Sequence, residues 1–99
     1  TDMNNYITIK ETTRGFSKDF IDEGFCLTFA NKVYVSVRFG TGHYCDQGVT
    51  TAEVAVIDKD GNWYVYYDGN LTITPDGTDV NPRVSTDDLV EILVLAKNL

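Results

Sequence analysis

The strict alternation of Val33, Val35, Val37 and Phe39 with Tyr34, Ser36 and Arg38 constrains this chain more than any other feature. Successive side chains of a strand point to opposite faces, so this segment predicts a strand with one apolar face and one polar-aromatic face. The same period recurs nearby: Ala52, Val54 and Val56 alternate with Glu53, Ala55 and Ile57, and Phe25, Leu27 and Phe29 alternate with Cys26 and Thr28. Segments of this kind build an antiparallel sheet with one face on a core.

Turn residues join the segments. Asn31-Lys32 predicts a two-residue turn, because asparagine tolerates the positive φ that such turns require. Asp60-Gly61 turns the chain into Trp63, Val65 and Tyr67, and Asp68-Gly69-Asn70 leads into a short strand over residues 71–74. Ile7 and Ile9 alternate with Tyr6, Thr8 and Lys10, which predicts a further strand over residues 5–11. Residues 12–24 read as a connection that holds one helical turn and brings Phe16 and Phe20 together. Residues 40–51 and 74–79 read as polar loops, the second with Pro75 and Gly77 where a β-turn uses them.

One segment has the other period. Leu89, Ile92, Leu93 and Ala96 recur at helical spacing after Ser85, whose hydroxyl can cap the first turn, with Asp87 and Asp88 near the positive end of the helix dipole. The expected fold is therefore α+β, a single domain over residues 1–99: an antiparallel sheet of about five strands, a meander of hairpins, with one C-terminal helix packed on one face. The expected helix-side row is Val33, Val35, Val37, Val54, Val56, Trp63 and Val65. Thr28, Tyr34, Ser36, Arg38, Glu53, Tyr64 and Tyr66 fall on the opposite, open face.

Charge narrows the function classes. The 15 carboxylates against 8 basic side chains, a formal charge of −7, oppose direct nucleic-acid binding, which depends on cations replacing counterions along phosphates. The same charge suits docking on a basic surface that normally holds DNA or RNA. Cys26 and Cys45 are too few for a disulfide framework, and no leader is apparent, so an intracellular, cytoplasmic setting is expected. No apolar run approaches the ~18–20 residues that span a bilayer.

Three groups of residues are candidate sites. Tyr34, Arg38, Tyr64 and Tyr66 would share the open sheet face, and tyrosine with arginine is the composition of interface anchors. Self-association through that face or through the first strand is one use of it. Asp76, Asp79, Asp87, Asp88 and Glu91 make a carboxylate-rich C-terminal third that could mimic spaced phosphates. Leu95 falls on the polar side of the helix with Asp88 and Glu91, where it meets a loop or awaits a partner. Gly40, Gly42, His43 and Tyr44, followed by Cys45, offer backbone amides, an imidazole and a thiol in one loop, an alternative site for a small ligand such as a nucleotide. The loop lacks the helix start and basic residue of a phosphate cradle, and His43 with Cys45 does not by itself make a catalytic pair, so no enzyme is expected. One histidine and two cysteines are too few for zinc, and Asp58-x-Asp60-Gly61 is the turn of a hairpin and not a calcium loop. No metal or cofactor is expected.

The motif Phe-Ala-Asn-x-x-x-Val-Ser-Val-x-Phe-Gly-x-Gly-x-Tyr-Cys at residues 29–45, then Ala-Glu-Val-Ala-Val-x-Asp-x-Asp-Gly-x-Trp-Tyr at 52–64, then an acidic Ser-x-Asp-Asp-x-Val helix start, resembles a family of small bacteriophage and prophage proteins. The resemblance covers roughly residues 25–97. It departs at Lys32, where glycine is usual in the family, and in the N-terminal strand and the 12–24 connection, which look like an addition. The resemblance implies a viral accessory protein in the cytoplasm of an infected bacterium. Small acidic phage proteins often block a host factor, restriction and CRISPR nucleases among them, so it implies a host-protein partner and an anti-defence, anti-CRISPR-like role. A minor structural or assembly protein is the other role it allows.

Overall fold

The computed structural model describes residues 15–18, 24–39, 50–74, 77 and 79–99. In chain order the elements are β1 (Gly15–Lys18), β2 (Gly24–Thr28), β3 (Tyr34–Arg38), β4 (Thr51–Ile57), β5 (Trp63–Tyr67), β6 (Asn70–Ile73), β7 (Asn81–Ser85) and the helix α1 (Thr86–Lys97). Strands β1 to β6 are neighbours in sequence order, all antiparallel, and β7 pairs with β4. The α+β meander with one packed C-terminal helix is thus the observed fold, with more strands than the five expected. The expected strand over residues 5–11 lies outside the described residues.

Two of the added strands arise where alternation is weak. Residues 15–18 form β1 against β2, with Phe16 exposed, in place of the expected helical turn. Strand β7, Asn-Pro-Arg-Val-Ser, has no clean period. Arg83 has a φ of 51°, and the β4–β7 register shifts between Ala52 and Val54, so a bulge interrupts the pattern that would reveal the strand.

Strand β4 carries both β5 and β7 on one edge. Val56 and Ile57 pair with β5, whereas Thr51, Ala52 and Val54 pair with β7. Asn81 fills the fork. Its Nδ2 donates to the carbonyls of Val54 and Tyr64, and its Oδ1 accepts from the Tyr66 amide at 2.7 Å, so backbone groups released where the strands part find partners in a buried side chain.

Turn geometry sets which side chains face the helix. Asp58 and Asn62 close the β4–β5 turn through the bonds Asp58 N to Asn62 O and Gly61 N to Asp58 O, with Gly61 at φ 87°. The loop is therefore Lys59-Asp60-Gly61, a type I turn completed by a left-handed glycine, and not a two-residue Asp-Gly turn. Carboxylate Asp58 selects it by accepting from the amides of Asp60 and Asn62. One extra loop residue reverses the parity of β5: Val56 pairs with Tyr64 and Ile57 with Trp63. Tyr64 and Tyr66 consequently pack against the helix-side core, and Trp63 belongs to the opposite face. This corrects the expected rows, which placed Trp63 and Val65 beneath the helix and the two tyrosines away from it. The β5–β6 turn is the true two-residue case, with Asp68 and Gly69 both at positive φ between the pair Tyr67 and Asn70.

The core is Val33, Val35, Val37, Val54, Val56, Val84, Ile92 and Ala96, flanked by half-buried Phe25, Phe29, Phe39, Leu89 and Leu93. Ser85 caps α1 by accepting from the Asp88 amide at 3.2 Å, as its spacing predicts. The other end is capped across the molecule. Asn31 Nδ2 donates to the carbonyls of Ala96, Lys97 and Leu99, while its Oδ1 accepts from the Val33 amide. The β2–β3 turn is a three-residue loop, 30–32, closed by Phe29 and Val33, and its positive φ of 68° falls on Lys32. Asn31 thus serves the orphan carbonyls of the helix end instead of supplying the left-handed residue.

Candidate binding surfaces

The outer face of α1 is one candidate. Asp87, Asp88 and Glu91 are exposed, and Asp79 is exposed in the segment before β7. Asp76 lies outside the described residues. The tyrosine hydroxyl of Tyr66 donates to Glu91 Oε1, tying β5 to the helix, so Glu91 serves the fold as well as the surface. Leu95 is half-buried and so is not left fully open on the polar side. The exposed apolar residues of the helix are instead Val90 and Val94, at 63% and 54% exposure, one turn apart and interleaved with the carboxylates. From Ser85 to Leu95 the chain has no basic side chain.

Beside the start of α1, on the helix side of the sheet, a hollow of about 190 Å³ is lined mainly by Phe25, Val37, Phe39, Ala52, Val84 and Leu89, with Ser85 and Thr86 at its margin. Asp87 and Asp88 lie between the lining residues Thr86 and Leu89. They are not among the residues that line the hollow and project from the helix away from the side that Thr86 and Leu89 present to it.

The opposite face of the sheet is the second candidate. Tyr34 and Arg38 are on it, as their alternation predicts, but Tyr64 and Tyr66 are not. The face is also less open than expected. Cys26, Ser36 and Ala55, a row of register partners across β2, β3 and β4, are buried, and the Cys26 thiol is 2.8 Å from the Tyr34 hydroxyl. A hollow of about 200 Å³ lies over this face, lined by Tyr34, Ser36, Arg38, Glu53, Ala55, Ile57, Trp63 and Val80. The sequence pattern places most of these residues on one face, but Trp63 is found only once the length of the β4–β5 loop is known.

Gly40, Gly42, His43, Tyr44 and Cys45 lie outside the described residues. The Asp58 carboxylate is occupied as a turn: Oδ1 accepts from the Asp60 and Asn62 amides and Oδ2 from Asn62 Nδ2 and the Tyr64 hydroxyl. Partial burial pushes its pKa up, but the bonds from Asn62, Tyr64 and Asp60 together outweigh this and hold it below the ordinary value. Burial, then the hydrogen bond to Asp58, raises the pKa of the Tyr64 hydroxyl. Among the described residues no cluster of histidine, cysteine, aspartate and glutamate could hold a metal ion, and no helix is long and apolar enough to cross a membrane.

No protein-family model matches the chain, and comparison with curated proteins and with solved structures gives no match.

Proposed function

We propose that this is a non-enzymatic bacteriophage accessory protein that binds a host protein in the bacterial cytoplasm. The partner offers a basic surface that ordinarily holds nucleic acid, and the domain blocks it, an anti-defence role of the anti-CRISPR kind. The observation that carries the reading is the outer face of α1: exposed Asp87, Asp88 and Glu91 stand beside exposed Val90 and Val94, with no basic side chain from Ser85 to Leu95. Carboxylates alone are an ordinary solvated helix start. Carboxylates around exposed β-branched residues supply both the steering charge and the dehydrated contact of a protein interface. The phage setting comes from the resemblance of residues 25–97.

Affinity capture from bacterial lysate tests it, with the wild-type chain and an Asp87→Lys/Asp88→Lys variant as baits. The expected result is a nucleic-acid-handling protein retained by the wild type, released by raised salt, and absent from the variant. A partner held equally by both baits would overturn the assignment of the interface, and a wild-type bait that retains nothing would overturn the proposal.

A further inference from the structure

Among the described residues, strands β6 and β7 each pair with one strand only, and their outer edges are built differently. An unpaired edge offers backbone donors and acceptors to a further strand, and β7 carries features that blunt one. Pro82 has no amide hydrogen, Arg83 sits at φ 51°, and the register shifts along the strand. Strand β6 carries none of these. Asn70-Leu71-Thr72-Ile73 pairs with β5 in unbroken register, has no residue at positive φ, and lies within the uncharged run 69–75 between Asp68 and Asp76.

Asn81 reveals which backbone groups of β6 point outward. From the β4 side of β5 it bonds the Tyr66 amide and the Tyr64 carbonyl, so both tyrosines turn their backbone groups away from β6. Their register partners Leu71 and Ile73 are therefore the non-hydrogen-bonded positions of the β5–β6 ladder, and their amides and carbonyls point to the free edge. The Thr74 amide donates to the Trp63 carbonyl at 2.9 Å, which continues the same alternation. Leu71 is half-buried against the core, Ile73 is 49% exposed, and Thr72 is exposed on the other face.

This edge is complementary to itself. About a two-fold axis perpendicular to the sheet through Thr72, Leu71 of each copy stands opposite Ile73 of the other, and each such pair can exchange both of its N–H···O bonds. Thr72 then faces the same residue across the axis, a cross-strand threonine pair. Centred on Leu71 or on Ile73 instead, one outward residue of each copy falls beyond the end of the other's strand. Charge selects the same occupant. Two copies of formal charge −7 repel over much of their surface and approach most readily along an uncharged strip, whereas a basic peptide would find no carboxylate within β6.

We infer that β6 is a self-association edge, at which two copies of this chain join antiparallel about Thr72 and continue one sheet across the pair. The contact is short, so the dimer is weak and concentration-dependent. It uses neither Asp87 nor Asp88 and is independent of the docking role of α1.

Sedimentation velocity of the full chain from about 10 μM to about 1 mM should show monomer passing into dimer. Raised salt should strengthen the dimer, the reverse of an acidic surface docking on a basic one. Thr72→Lys should return the chain to monomer by setting like charges opposite each other across the axis. As a second test, Thr72→Cys treated with oxidised glutathione should give at least about tenfold more covalent dimer than the wild type or Asn70→Cys, which lies two residues along the same face. A chain that stays monomeric at about 1 mM would overturn the inference. So would a dimer that survives Thr72→Lys, which would assign the contact to another surface, or equal cross-linking of the two cysteine variants.

Discussion

The two long faces of α1 differ in what the fold asks of them. Leu89, Ile92, Leu93 and Ala96 make the inner face, with Ile92 and Ala96 fully buried against the valines of β3 and β4. The outer face is not simply polar: Val90 and Val94 stand exposed among Asp87, Asp88 and Glu91. Helix propensity does not account for those two valines, since exposed valine is a poorer helix former than alanine, lysine or glutamate. The inner face therefore records stability, and the outer face is the surface to which the proposed function assigns the partner.

The comparison is most easily broken by removing atoms from each face. Ile92→Ala should destabilise the domain by about 2–5 kcal/mol, measured by urea unfolding, because it opens a cavity in the centre of the core. Val94→Ala should change stability by less than about 0.5 kcal/mol and weaken partner binding instead. Equal losses of stability at the two positions would erase the distinction between the faces.

The helix is also held at its C-terminal end from outside. Asn31→Ala removes the donor shared by the carbonyls of Ala96, Lys97 and Leu99 and should cost about 1–2 kcal/mol. Amide hydrogen exchange should show the last turn of α1 losing protection while the first turn keeps it. Next to Asn31, Lys32 sits at φ 68°, a conformation costing a non-glycine residue about 1–2 kcal/mol. Lys32→Gly should stabilise the domain by up to about 1 kcal/mol after the added freedom of the unfolded chain is allowed for, seen as a raised Tm.

The smallest effect is expected far from the helix end, at Asp58. Its folded pKa is depressed, so its contribution is fully present above the ordinary aspartate value of 3.8 and is lost as pH falls through the folded value. Unfolding followed from neutral pH into acid should show this loss, and Asp58→Asn should remove that part of the pH dependence. The Asp87→Lys/Asp88→Lys variant should retain it, because the β4–β5 turn and the outer helix face are separate features.

Periodic segments were the legible part of the sequence. Val33 to Val37, Val54, Val56 and the spacing from Leu89 to Ala96 point to the sheet, the helix and most of the core, because burial imposes its period directly on side-chain choice. What failed was a one-residue detail with consequences for a whole strand. Asp60-Gly61 and Asp68-Gly69 are the same dipeptide, yet the first closes a three-residue loop and the second a two-residue one. The Asp58 side chain decides the first case, and with it the faces of Trp63, Tyr64 and Tyr66. Strand β7 was hidden by its bulge, and the role of Asn31 depends on a helix end more than sixty residues away. In the candidate sites, the exposure of Asp87 and Asp88 followed from the helical period, whereas the hollow beneath Trp63 depended on the loop.

In the proposed function the outer face of α1 competes with nucleic acid for a basic host surface. The most direct test measures the Kd of the reconstituted complex against salt, with and without a competing DNA or RNA duplex. Affinity should fall with rising salt, the duplex and the domain should exclude each other, and Asp87→Lys/Asp88→Lys should remove both effects. Affinity indifferent to salt and to the duplex would contradict it.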